Sequence, residues 1–486
     1  MNPRIVVVVA AVLSACTVGP DYVPPAETAP ATWLAGADTR VDAAGVAAFW
    51  TTFNDRELDA LLQRAVAGNR DLRVALARLR EARVRAAAAG SLRWPKVDVT
   101  ASYSNSRLSE NGFLEGLATG APGGGGGAPG SVFPGQQLDL HQVGFDASWE
   151  LDLFGGLRRG VEAAEADAEA SEWDLRAVQL ALCGDVADAY VTLRSLQARS
   201  ALSQRQVAEH RDTVAVLDEQ VRAGVANDFD LVRARTELAS QEAQDAGVGG
   251  EIAAAVRRIE TLLGEQPGAL GDELAAAPLP VVPDVLAVDM PFATLRRRPD
   301  VGAAERRLAA ATARIGVATA ELYPRLSLTG AFGLQSQQLE DLPSADSRFW
   351  AIGPQLRWPL FDFGRVRSAI DIQDARTEQA LAAYEGTVLQ ALSDVEIALV
   401  RVARWRKQLA SLRTARDSAR TAAELAGEQY RSGVLEYLAL LDTQRTRDRV
   451  EDECAIGEAA LARAVVALGK ALGGGMAADG APVQSE

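Results

Sequence analysis

Trp149–Gly155 (WELDLFG) and Trp358–Gly364 (WPLFDFG), 209 residues apart, decide how this chain is read. In both stretches a glycine ends an alternating run. A long helical stretch follows each, and 69 residues on comes a second glycine turn, Gly224 or Gly433. Those turns read QVRAG from Gln220 and QYRSG from Gln429. Upstream the match continues, because Asp71 to Pro95 and Asp300 to Pro324 both span 24 residues. That register is offset by 229, so copy one carries about 20 extra residues before Trp149, in a Gly-Ala-Pro-rich insert at 120–135. Most of the chain is one unit used twice.

The 486 residues are nearly half apolar, enough to bury a core. A net charge of −15 argues against nucleic acid, whose phosphates need clustered Lys and Arg. Three cysteines make no disulfide framework. Counted from the two turns at 1.5 Å per residue, Cys183 and Cys454 fall roughly 30 Å apart. A disulfide needs Cα atoms within about 7 Å, so two free, buried thiols are expected.

The chain opens as a signal peptide over 1–15. Arg4 is followed by the apolar run Ile5–Leu13, too short to span a bilayer as a helix. Leu13-Ser14-Ala15-Cys16 resembles the bacterial lipobox, which implies cleavage and a covalent lipid on Cys16; the other reading is an ordinary cleavage site beside an incidental cysteine. Thr17, where inner-membrane lipoproteins usually carry Asp, implies outer-membrane sorting. Residues 17–48 are Pro- and Ala-rich with no sustained period and read as extended. Phe49-Trp50 then opens an apolar cluster leading into a helix.

Pro95 stops that helix, since proline cannot continue it. Val97, Val99, Ala101 and Tyr103 alternate with polar residues. Val143, Phe145, Ala147, Trp149, Leu151 and Leu153 do the same, a period of 2 that predicts strands. Copy two gives Leu326, Leu328, Phe332 and Leu334, then Trp350, Ile352, Leu356, Trp358 and Leu360. Each strand is about ten residues, the length a tilted transmembrane strand needs. Four amphipathic strands could also be half of a soluble sandwich. Two hairpins set far apart, helices on both flanks, and aromatics ending the apolar faces favour a membrane barrel. Four strands cannot close one, and an open sheet edge is not tolerated in lipid, so several chains must share it. A dimer's eight strands would fill with side chains, whereas a trimer's twelve leave room for a polar conduit.

From Gly155 to Gly224 apolar residues recur at spacings of 3 and 4: Leu182, Val186, Tyr190, Leu193, Leu196, Val207, His210, Leu217. Copy two repeats this from Val388 to Leu412. Such heptad-like helices of sixty-odd residues would run roughly 100 Å. Helices returning from the turns are expected at about 228–263 and 436–472.

The residues resemble a known family, the TolC-type outer-membrane factors, in the lipoprotein branch typified by OprM and NodT. The resemblance rests on Cys16-Thr-Val-Gly-Pro-Asp-Tyr22, Phe49-Trp50, Asn69-Arg-Asp-Leu72, Arg297-Arg-Pro-Asp300 with Glu305, and Leu322-Tyr-Pro-Arg-Leu326. Phe361-Asp-Phe-Gly-Arg365 and Tyr437-Leu-Ala-Leu-Leu-Asp442 complete it. It implies an α+β membrane protein with a two-fold internal repeat. Four transmembrane strands per chain would complete a trimeric twelve-stranded barrel, continuous with a long α-helical periplasmic barrel. The divisions expected are 1–15 signal; 16–68 lipidated N-terminal and equatorial segment; 69–265 repeat one, with hairpin 95–153 and tip 222–233; and 266–297 equatorial linker. Repeat two follows at 298–472, with hairpin 324–362 and tip 431–443, and then a disordered tail at 473–486. The implied partners are two further copies, a periplasmic adaptor, an inner-membrane RND-type pump and outer-membrane lipid. The implied role is an outer-membrane efflux duct passing small molecules; a type I secretion duct for polypeptides is the alternative within the family. A soluble periplasmic coiled-coil scaffold is the reading from another class.

The two turns would be periplasmic tips, where an adaptor docks; Arg222, Gly224, Arg431 and Gly433 mark them. By resemblance the second tip narrows the pore with Leu438 and Asp442, partnered by Arg445. A carboxylate ring there would repel anions and concentrate cations. The bland alternative is an exposed Asp442–Arg445 pair at i,i+3. His141 and His210, the only histidines, have no His or Cys at metal-ligand spacing. The sequence has no P-loop, nucleophile elbow or HExxH, so neither a cofactor beyond the lipid nor an enzyme is expected.

Overall fold

The computed structural model describes residues 17–26, 29–35, 39–107, 137–271 and 273–475. Cys16, the Gly-rich insert and residues 476–486 lie outside the described residues, and with them the expected lipidation site. The chain divides into two compact units, described separately below.

The first unit gathers residues 1–23, 83–167 and 309–379. At its centre are four strands: β2 (Lys96–Arg107), β3 (Gln137–Leu151), β5 (Arg325–Ser336) and β6 (Arg348–Arg357). They form one antiparallel sheet in the order β2-β3-β5-β6, so the two hairpins join through β3 and β5. Alternation puts Val97, Val99, Phe145, Phe332, Trp350, Ile352 and Leu356 on one face, where all of them are exposed. The other face carries Asp98, Thr100, Asp146, Glu150, Gln335 and Gln355. A soluble sheet covers its apolar face; this one leaves it bare and turns Asp98, Asp146 and Glu150 to the opposite side, while Asp139, near the start of β3, shares the apolar side and accepts there from Tyr103 and Asn105.

The Trp149 indole donates to the Arg93 carbonyl at 2.9 Å. The Trp358 indole donates to the Leu322 carbonyl at 3.0 Å. The two bonds occupy equivalent places in the two copies. Residues before the first helix strap the first strand-to-helix turn: Val18 N–H donates to the Phe154 carbonyl at 3.1 Å, and buried Arg159 reaches Asp21 at 2.6 Å.

The second unit holds residues 24–82, 168–308 and 380–486. The segment read as extended forms a short strand β1 (Thr39–Val41), parallel to β4 (Leu286–Val288), and a helix α1 (Ala43–Ala47). Residues 42–48 are too short to show a helical period, and Asp42 supplies the cap by accepting from Gly45 N–H. α2 (Arg56–Gly68) starts at Asp55, whose carboxylate accepts from Glu57 and Leu58 N–H and from the Tyr190 hydroxyl. α3 (Arg70–Ser91) starts at Asn69, which accepts from Leu72 N–H. α6 (Pro291–Arg297) and α7 (Pro299–Ala320) open repeat two.

The long elements are α4 (Gly156–Arg222) and α8 (Arg365–Arg431), 67 residues each, and the returning α5 (Asp228–Leu263) and α9 (Tyr437–Ala471). At 1.5 Å per residue the first pair each run about 100 Å. Val186, Tyr190, Leu193, Ile259, Leu263, Val395, Leu399, Ala462 and Val465 bury one core with Phe49 and Leu58. Among the described residues no helix is long and apolar enough to cross a membrane.

Two further expectations need correction. Gly473–Gly475, placed in a disordered tail, are ordered: Gly475 N–H donates to the Val46 carbonyl at 3.1 Å, and a side chain at Gly474 or Gly475 would strike Phe49 or Trp50. A run of glycines reads as flexible unless its packing partner, here 425 residues away, is known. Cys454 is a free, buried thiol as expected, whereas Cys183, also free, is only half-buried.

Candidate gate at the helix-turn tips

Each long helix ends in the same way. At the first turn Gly224 N–H donates to the Val221 carbonyl and Val225 N–H to the Gln220 carbonyl, both at 2.9 Å. At the second, Gly433 N–H reaches Tyr430 and Val434 N–H reaches Gln429, at 3.0 and 2.9 Å. These are Schellman closures, and the glycines hold φ of 71° and 74°, where a side chain would be strained. Asn227 then caps α5 by accepting from Asp230 N–H at 2.9 Å. Arg222 pairs with Asp218, while Arg431 is exposed.

The turns do not stand apart within the chain. Leu217 of α4, Leu231 and Ala234 of α5, Ala426 of α8, and Tyr437, Leu440 and Leu441 of α9 bury a small common core. The Tyr430 hydroxyl donates to Gln220 Oε1 at 3.0 Å, and its ring lies 6.1 Å from that of Tyr437. Burial pushes the Tyr437 phenol up to about 12, with the charge of Glu237 adding to it. Facing outward are Val225 and Phe229 at one tip and Val434 and Leu438 at the other, all exposed. Phe229 and Leu438 are equivalent positions of the repeat, as are Arg233 and Asp442.

Leu438 and Asp442 sit four residues apart on one exposed face of α9. Within one copy Asp442 and Arg445 make no ion pair. Arg445 instead binds Glu237 of α5, with Nε 2.9 Å from Oε2, and Asp442 has no ion pair among the described residues. Glu237 is largely covered, whereas Asp442 is exposed to water. The hydrogen bond that Arg445 donates to Glu237 raises the arginine's pKa further still. Sequence reading missed Glu237 because its partner lies on another helix, 208 residues away.

His210 is buried between α4 and α9, with Nε2 3.3 Å from Asp448 Oδ2. Arg447 in turn holds Asp448 at 2.7 Å. Among the described residues no cluster of His, Cys, Asp and Glu could hold a metal.

The sequence profile of the outer membrane efflux protein family matches residues 61–265 and 291–474. The chain belongs to this family. Among relatives of the outer membrane efflux proteins it resembles outer membrane protein OprJ of Pseudomonas aeruginosa, at 32% identity over 472 residues, covering 96% of this chain and 94% of OprJ. The toluene efflux pump outer membrane protein TtgI of Pseudomonas putida is 32% identical, with 95% and 96% covered. The solved structure of the outer-membrane channel OprN superposes with a TM-score of 0.84 at 36% identity, covering 95% of this chain and 99% of that one. The family is one of efflux channels, not of enzymes, and its members are outer-membrane proteins of Gram-negative bacteria that extend into the periplasm. This chain shares that location.

Proposed function

We propose that three copies of this chain form the outer-membrane duct of a tripartite efflux system, passing small molecules from an inner-membrane RND-type pump through a periplasmic adaptor. The observation that carries the reading is the sheet: its apolar face is bare, Asp98, Asp146 and Glu150 lie on the other face, and β2 and β6 are open edges among the described residues. Backbone groups left unpaired in lipid cost several kcal/mol each, so the edges must be joined by further copies. Twelve strands give a bore wider than side chains fill, lined by Asp98, Asp146 and Glu150. The duct is passive, and selection among solutes rests with the pump. Relatives named for toluene efflux support small solutes over polypeptides.

The tips carry docking and closure. Leu438 and Asp442 of three copies would ring the axis, with Glu237–Arg445 holding α9 against α5 while the duct is shut. Cys16 carries a lipid that aids sorting and takes no part in conduction, so Cys16→Ser lowers outer-membrane abundance while the channels that do insert conduct as before. Normal abundance of that variant removes the sorting role.

A photoreactive residue at Ala223 or Leu435, crosslinked in cells and followed by mass spectrometry, tests the assembly. Capture of the adaptor of a proton-driven pump is expected. Capture of the adaptor of an ATP-driven secretion system shifts the cargo to polypeptides, and no periplasmic capture at either tip, with the protein present, overturns the tripartite reading.

A further inference from the structure

The repeat extends into the sheet, residue by residue. In the first hairpin Lys96 faces Ser148; in the second Arg325 faces Arg357. The offsets of 229 and 209 read from the sequence convert one pair into the other, so the two hairpins share one register. The seam between them, β3 on β5, sets Trp149 opposite Leu328, Ala147 opposite Gly330 and Phe145 opposite Phe332. The outer edges β6 and β2 are the counterparts of β3 and β5, and among the described residues they have no strand against them.

We infer that β6 of one copy pairs with β2 of the next in the register of the β3·β5 seam, setting Trp358 opposite Val99, Leu356 opposite Ala101 and Pro354 opposite Tyr103 of the partner subunit. This rests on the reading that copies share one barrel, and specifies the seam. The faces agree: Leu356 and Pro354 lie on the apolar side of β6, with Trp358 one residue past its end in the same alternation, as do Val99, Ala101 and Tyr103 in β2. A shift by one residue would bring carboxylates to the lipid face.

A second observation falls at the same seam. Phe154, just before its glycine, stacks on Tyr323, just before its proline, with ring centroids 4.6 Å apart. Their counterparts are Phe363 and Trp94, and these are bare, at 107% and 74% exposure. Phe363 also holds φ of 54°, which a bulky residue adopts at a cost. A stack of Phe363 on Trp94 of the partner subunit covers both rings.

Paired cysteines test the register in the full-length protein in outer membranes. A disulfide joins Cα atoms about 4.4–6.8 Å apart, which directly opposed residues satisfy, whereas diagonal neighbours at about 7–8 Å do not. Within one chain β2 and β6 are separated by two strands, about 14 Å, so the bond can form only between copies. The double variant Leu356→Cys with Ala101→Cys is expected to give covalent dimers and trimers on oxidation, and so is Pro354→Cys with Tyr103→Cys. The shifted pairs, Leu356→Cys with Tyr103→Cys or Val99→Cys, stay at the background set by Cys183 and Cys454 in the unaltered chain. Bonding in a shifted pair without the matched one overturns the register and leaves the ring standing. No bonding anywhere, with a trimeric mass in detergent, overturns the register alone; a monomeric mass overturns the shared barrel itself.

Discussion

Arg445 on the second tip is bound to Glu237 on the returning helix of the first, with Nε 2.9 Å from the carboxylate. The bond ties α9 to α5 within one copy. Arg445 is half exposed, so the pair contributes at most about 1 kcal/mol to stability. Glu237→Gln is therefore expected to leave the melting temperature nearly unchanged, yet raise the open fraction of the duct up to about fivefold, the factor that 1 kcal/mol provides. Single-channel recording in planar bilayers reads this directly, and unchanged closed times would remove Glu237–Arg445 from the gate.

Asp442 has no ion pair among the described residues and shares an exposed helix face with Leu438. If three such carboxylates meet at the narrowest point, Asp442→Asn lowers the preference for cations. The reversal potential in a salt gradient should move toward zero by several millivolts or more, since fixed charge at a constriction sets selectivity. An unmoved potential would put the constriction elsewhere.

The turns give a stability test with its own control. Gly224→Ala and Gly433→Ala force a side chain into positive φ and should each cost about 1–2 kcal/mol. Gly247 lies inside α5 with open space around its Cα, so Gly247→Ala should stabilise by about 1 kcal/mol. Opposite shifts in denaturation midpoint are expected, and equal shifts would contradict the turn geometry.

The tips also show where sequence reading ends. Helix limits, the glycine turns and the alternating faces follow from periods of 3.6 and 2, which are local properties of the chain, and they stand within a residue or two of expectation at Asp228–Leu263 and Tyr437–Ala471. Glu237 could not be found that way. Its role depends on which helix lies beside it, and α5 carries many other charged residues with the same local pattern. Gly473–Gly475 escaped for a like reason: their order comes from Phe49 and Trp50, distant in sequence. The single strand β1 is three residues long, below any periodicity.

Burial pushes the Cys183 thiol up to about 11, from an ordinary value near 9. The folded protein therefore keeps it protonated at neutral pH. Its contribution to stability is intact below pH 9 and is lost as pH rises through about 11, because the unfolded chain ionises first. Alkylation of Cys183 followed by mass spectrometry should be slow at pH 7.5 and remain slow at pH 9, where a free thiol is already half ionised. Rapid labelling at pH 9 would show that the site opens.

The indole braces from Trp149 to Arg93 and from Trp358 to Leu322 are one piece of carpentry made from two stretches of sequence. In a ring of three copies they alternate around the junction of strands and helices, six places served by two sets of instructions. A change at Trp149 alters every second place and spares those between. The neck where strands pass into helices can thus drift toward a three-pointed outline, one substitution at a time, while the number of staves in the barrel stays fixed.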